Sequence, residues 1–232
     1  MCSPRPTEQA SALREHTSPD MTKTPDYFAQ VVLIGERVRL EPLSQRHFDD
    51  LSAAGSDAGI WRWMPTAHHA PGSMASFISG ALSQYAQRKA VPFATIDMTR
   101  SIAVGSTRYH FIEPEQRRLE IGVTWISPML QRSHINTEAK LLQLWYAFEV
   151  LGCRRVEFKA DAENTKSRNA ILRLGAREEG YFRKHMIYPD GLNRDSVYFS
   201  IVDEDWATCK TLLLSRLGYE VRPRVSEGGG RS

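Results

Sequence analysis

The stretch that most limits how this chain can fold runs from residue 119 to residue 161. Leu119, Ile121, Val123 and Trp125 alternate with their neighbours in the manner of a strand over residues 119–126. The next segment, "SPMLQRSHIN" over residues 127–136, has no periodicity. A helix is expected over residues 137–151, where Leu141, Trp145, Phe148 and Leu151 supply one apolar stripe. Val156, Phe158 and Ala160 then alternate again, giving a second strand over residues 155–161. Two strands joined through a helix pair in parallel, because such strands need a crossover rather than a tight turn.

Around this unit the apolar pattern switches repeatedly between periods of two and 3.6. Strands are expected over residues 36–43, 93–97, 101–111, 180–188 and 196–202. Helices are expected over residues 44–54, with Ser44 as cap, and over 73–88, 163–174 and 203–217. Gly175 stands where a left-handed residue commonly ends a helix. "YPDGLNRD" reads as the turn between the last two strands. The fold class is therefore mixed α/β. Residues 1–26 carry Ser, Thr, Pro and charges without an apolar repeat and read as a disordered tail, within which Met21 is a second possible start. Residues 219–232, with a Gly-Gly-Gly run, read as a flexible tail. One domain over residues 27–218 remains.

Composition removes several function classes. A net charge of +3 is too small for the concentrated basic face of a nucleic-acid binder. Cys2, Cys153 and Cys209 are far apart and odd in number, so neither a disulfide framework nor a metal site is expected. A reducing cytoplasm is the simplest setting. No apolar run approaches the roughly 20 residues of a membrane-spanning helix, and no signal-peptide core is visible at the start.

The crossover places the 127–136 loop at the carboxyl end of its first strand, where open α/β sheets bind ligands. Asn136 can cap the helix, and Glu138 falls in the first turn as drawn from the sequence. Free amides and the positive end of a helix dipole suit a phosphate or pyrophosphate. Any strand-helix-strand unit has such a loop, however, and no GK[ST] or GxGxxG stretch is present.

"LIGERVRLEPL", "LEIGVTWISP", "NTEAKLLQL" and "RVEFKADAENTKSRNAILRLGAREEG", in this order from residue 33 onwards, resemble the GNAT superfamily of acyl-CoA-dependent N-acyltransferases. The nearest likeness is to the branch of ribosomal-protein N-terminal acetyltransferases. The resemblance implies a mostly antiparallel twisted sheet with a splayed parallel pair at its centre. It implies acetyl-CoA as co-substrate, no metal, and an amine acceptor, either a protein N-terminus or a small molecule. A monomer or homodimer is expected. The family's loop cradles the pyrophosphate, which here implicates Gln131, Arg132, Ser133, His134, Ile135, Asn136 and Thr137. Its two small positions are occupied by His134 and Asn136. Asn tolerates left-handed geometry and caps helices, whereas His134 either turns to solvent or donates to a phosphate.

The same resemblance assigns Asn164, Ser167 and Arg168 to the pantetheine arm, together with the main chain near Thr124 and Ile126. Asn164 can equally be a helix cap. Gly122 marks a bulge or a close approach of backbone. Glu120 matches the position of a carboxylate that draws the amine proton through water; its bland alternative is a surface pair with Arg118 or Arg155. By alternation it shares a face with Gly122 and Thr124. Tyr109 is a second hydrogen-bonding candidate, or a half-buried sheet tyrosine. By the same resemblance Trp61, Trp63 and Met64 border the acceptor cleft; their alternative is core. Many relatives carry a thiolate-protonating tyrosine where this chain has Ile171, so that step has no assigned residue.

Overall fold

The structure, a computed structural model, describes residues 25–64, 66–188 and 190–228. The expected tail of residues 1–26 lies outside these except for its last two residues. Among the described residues nine strands form one sheet: β1 (Val31–Ile34), β2 (Val38–Pro42), β3 (Ala90–Asp97), β4 (Ile102–Glu113), β5 (Arg118–Ile126), β6 (Arg155–Asp161), β7 (Arg177–Ile187), β8 (Asn193–Val202) and β9 (Arg224–Glu227). Their order is β7-β8-β6-β5-β4-β3-β2-β1-β9. Every neighbouring pair is antiparallel except β5 and β6. Among the same residues five α-helices accompany it: α1 (Phe48–Ala54), α2 (Ser73–Ala86), α3 (His134–Trp145), α4 (Thr165–Leu172) and α5 (Asp203–Leu217).

Two apolar layers hold the sheet. On one face Leu119, Ile121, Val156 and Phe158 pack against Ile135, Leu142 and Trp145 of α3 and Leu213 of α5. On the other, Ala94, Ala103 and Trp125 pack against Leu51 of α1 and Phe77 and Ile78 of α2. The second layer stops at β5, so the same face of β6 and β8 carries no helix from it.

Several boundaries differ from the sequence reading. Residues 219–228 are not a frayed tail throughout, because β9 pairs with β1 from Val31↔Glu227 to Ile34↔Arg224. β1 itself, a four-residue strand, was not separable from the segment before β2. Glu138 is buried in the second turn of α3, where its Oε1 accepts from the backbone N–H groups of Glu36, Arg37 and Val38 at 2.6, 2.9 and 3.3 Å. Tyr219 donates to its other oxygen at 2.5 Å. One carboxylate thus ties the β1–β2 turn and the chain after α5 to α3. Gly175 is left-handed as expected, with φ 93°.

Candidate active site

β5 and β6 pair only at Arg118↔Arg155, Leu119↔Val156 and Glu120↔Glu157. Beyond Glu120 they diverge, β5 staying on β4 and β6 on β8. A wedge opens between residues 121–126 and 158–161, with α3 beneath it as the crossover. Its cause is local. Ser106 pairs with Trp125 and Arg108 with Gly122, so Val123 and Thr124 together oppose Thr107. This bulge puts Val123 at φ 47°, a left-handed conformation unusual for a β-branched residue. Bulges bend a strand and increase its twist.

The bulge also corrects an expectation. Thr124 does not share a face with Glu120, because the extra residue reverses the alternation. Thr124 turns towards α3, where its Oγ1 lies 2.8 Å from Lys140 Nζ. Glu120 turns to the opposite face, which carries no helix here among the described residues. It is buried, and not a surface glutamate: Arg118 and Arg155 pair with Glu157 instead, at 3.1 and 2.7 Å. Its own neighbours are His110 Nε2 at 3.1 Å, near enough for an ion pair but not aligned as a hydrogen bond, and Lys159 Nζ at 3.9 Å. The Lys159 ammonium in turn lies 5.0 Å from the ring centre of exposed Phe111 and 5.6 Å from that of Tyr198. Burial raises the Tyr198 hydroxyl above its ordinary pKa, and the Glu120 charge adds to this. His185, on β7 beside Ser196 and Tyr198, is held below the ordinary histidine range by burial and by Lys159 and Arg194. The result is a carboxylate ringed by bases and aromatic faces on an open part of the sheet. The sequence reading missed His110, Lys159, His185 and Tyr198, which come from four strands distant in the chain. The signal present was alternation: Glu157, Lys159 and Asp161 on β6, and Arg194, Ser196 and Tyr198 on β8, fall on one face.

At the other end of the wedge, the start of α3 is corrected by three residues. Ser133, not Asn136, is the cap; its Oγ accepts from Ile135 N–H at 3.3 Å and donates to the Leu130 carbonyl at 2.6 Å. The left-handed residue of the loop is Arg132, at φ 65° and exposed. His134 and Asn136 are therefore ordinary first-turn helical residues, and their large side chains cost no backbone strain. The His134 ring packs edge-on to Tyr219 at 6.3 Å instead of facing solvent from a loop. The amides of His134, Ile135 and Asn136 have no intrahelical carbonyl to reach, as in any first turn, and Ser133 satisfies only that of Ile135. Thr137 follows directly. The geometry suits an anion.

Gln131 bridges the wedge mouth, donating to the Ile126 carbonyl at 3.1 Å while its Oε1 accepts from Lys166 at the start of α4. Asn164 caps α4, its Oδ1 accepting from the Ser167 N–H at 3.0 Å, so capping and proximity to the wedge coincide. Arg168 is engaged elsewhere, with the Ala162 carbonyl at 3.1 Å and Glu178 at 3.2 Å.

Two expectations are moved off the site. Tyr109 is fully buried and donates to the Gln143 carbonyl at 2.7 Å; burial holds its hydroxyl far above the ordinary tyrosine range. It locks β4 to α3. Trp61 is core, donating to the Gly55 carbonyl at 2.8 Å and packing on Trp125 with ring centres 5.1 Å apart. Trp63 and Met64 are half-buried, with the Arg62 guanidinium 4.9 Å over the Trp63 ring. Among the described residues, no group of three or more His, Cys, Asp or Glu is arranged to hold a metal. No described helix is long and apolar enough to cross a membrane.

Comparison with known proteins agrees with this geometry. The family described as "Acetyltransferase (GNAT) domain" matches residues 37–177. A protein of Bacillus subtilis (strain 168) named "Putative ribosomal N-acetyltransferase YdaF" is 35% identical over 102 residues, 44% of this chain and 55% of that protein. The chain thus matches about half the length of the curated relatives, 55% and 50%. A GCN5-related N-acetyltransferase from Brucella melitensis shares 32% identity over 84% of this chain and 87% of its own, with a TM-score of 0.77. Mycobacterium smegmatis RimJ, solved in complex with CoA-disulfide, has the same fold at a TM-score of 0.69 and 24% identity, over 81% of this chain and 94% of its own. The splayed parallel pair, the capped helix beneath it and the family match lead to one assignment: this chain belongs to the GNAT family of acetyltransferases.

Proposed function

We propose that the protein transfers an acetyl group from acetyl-CoA to a primary amine by direct attack, with the α-amine of a protein terminus as the leading acceptor. The observation that carries this reading is the position of Glu120, a buried carboxylate at the last paired residue before β5 and β6 part. An amine entering from the helix-free face meets Glu120, which takes its proton directly or through water. The thioester lies in the wedge, its amides on the main chain of residues 124–126, and its pyrophosphate meets the amides between Arg132 and Thr137. The CoA ligand of the RimJ neighbour and the name of the B. subtilis relative support the cofactor and the acceptor class respectively.

Physical chemistry favours an α-amine over a lysine. The former titrates near 7.7–8.0 and the latter near 10.4, so the neutral nucleophile at pH 7 costs roughly 1 kcal/mol against roughly 4–5 kcal/mol. A site with one carboxylate serves the first more easily.

Thiol release should be followed with peptides bearing a free N-terminus and with the same peptides blocked there but carrying a lysine. The free set is expected to react faster, and Glu120→Gln to lower turnover by about 10²–10⁴-fold with acetyl-CoA affinity nearly unchanged. Faster reaction of the blocked peptides would overturn the acceptor class. Reaction of neither set, with activity on free amino acids or aminoglycosides, would assign a small-molecule acceptor. A Glu120→Gln enzyme within about twofold of the parent would remove the base role.

A further inference from the structure

Beneath the bulge lies an ammonium group that neither the core nor the proposed base accounts for. Lys140 is buried in the middle of α3. Its Nζ lies 2.8 Å from each of three oxygens: Thr107 Oγ1 on β4, Thr124 Oγ1 on β5 and Gln143 Oε1 one turn along the helix. The two threonine hydroxyls are 2.7 Å apart. Among the described residues no carboxylate pairs with it. Tyr109, the titratable group that β4 directs at the same turn of α3, stays protonated and donates to the Gln143 carbonyl. Burial alone lowers the Lys140 pKa to about 7. Such an arrangement is costly, because a buried ammonium without a counterion loses its hydration.

Of the four members, Lys140, Thr107 and Gln143 are buried, whereas Thr124 is partly exposed. Thr124 also belongs to the part of β5 that β6 has left. The network therefore has its outlet at the wedge. With the ammonium donating to Thr124 Oγ1 and Thr107 donating to Gln143 Oε1 at 3.1 Å, the Thr124 hydroxyl hydrogen has Thr107 Oγ1 at 2.7 Å and the Gly122 carbonyl at 3.5 Å as acceptors. Rotation about its Cβ–Oγ1 bond turns it into that opening.

We propose that Lys140, acting through the Thr124 hydroxyl, is the positioning residue that delivers a proton to the thioester sulfur as the carbon–sulfur bond breaks; this rests on the acetyl-transfer reading above. The amine lone pair forms the carbon–nitrogen bond, the carbon–sulfur pair leaves on sulfur, and the amine proton passes to Glu120. Thr124 gives its proton to the sulfur and takes one from Lys140, so the products are the amide, the free thiol and neutral Lys140. Glu120 then releases its proton to water, and Lys140 regains one by the reverse path. This supplies the donor that Ile171, buried in α4, cannot be.

The test uses free CoA, so it needs no acceptor. The thiol of bound CoA is titrated by its thiolate ultraviolet absorbance in the parent, in Lys140→Met, and in Thr124→Val and Thr124→Ser. A positive group coupled to the sulfur favours its ionised form. At pH 7 and below, where Lys140 still carries its charge, bound thiol is expected to be up to about tenfold less ionised in Lys140→Met and Thr124→Val than in the parent, and restored in Thr124→Ser. With an amine acceptor, the fall in kcat as pH rises through the Lys140 pKa should vanish in Lys140→Met. Unchanged thiol titration in folded variants that bind CoA within about twofold of the parent would overturn the relay. Loss of CoA binding in folded Lys140→Met and Thr124→Val would assign the network to affinity, and overturn it too. Should Lys140→Met fail to fold, the Thr124→Val and Thr124→Ser pair decides alone. Failure of the parent to bind CoA would instead sink the acetyl-transfer reading itself.

Discussion

Gly122 shows how a single side chain sets the site. A methyl group there would stand 2.3 Å from His110 Nε2 and 3.2 Å from Glu120 Oε1. Its φ is not left-handed, so the glycine is required for space, and the approaching group is an imidazole. Gly122→Ala should push His110 off Glu120 and destabilise the fold, whereas in a His110→Ala background the same change should cost little. A double-mutant cycle by chemical denaturation checks this, with an expected coupling of about 0.5–3 kcal/mol; additivity would mean that His110 does not fill that space. Glu120 was legible in the sequence because Leu119 and Ile121 fix the face of their neighbour. Thr124 was not, since an alternation rule carries no sign of the bulge that Val123 and Thr124 themselves form.

At the scale of elements, helix starts are read from caps and apolar stripes, and for α3 that reading settled on Asn136 where the structure uses Ser133. Asn136 and Ser133 are both good N-cap residues. Ile135 decides between them: it is fully buried, and with Ala139, Leu142 and Tyr146 it forms a second apolar stripe that begins ahead of Asn136. Ser133→Ala should therefore cost about 1 kcal/mol, while Asn136→Ala should stay within about 0.5 kcal/mol. Urea midpoints of the two variants give the answer, and the reverse order would restore the shorter helix. The crossover elements, including the helix interior, were legible because their apolar residues are many and periodic. β1 and β9 were not, because each has four residues and is defined by its partner rather than by its own pattern.

Over the whole molecule, the sheet order follows from one parallel pair set among antiparallel neighbours, and the same pair creates the wedge. β4 retains β5 through the bulge while β8 retains β6 as far as Asp161, so neither strand can follow the other. The two ends of the wedge then differ in character: first-turn amides and Arg132 at one, the Glu120 cluster at the other. An elongated ligand with an anionic end and a reactive end is what such a channel suits. A crystal structure of the protein with CoA tests this most directly. The pantetheine arm is expected between residues 121–126 and 158–161, with its pyrophosphate against the amides of residues 132–137 and its sulfur near Thr124. Well-defined CoA bound elsewhere, with the wedge closed by β5–β6 pairing or filled by side chains, would contradict the account.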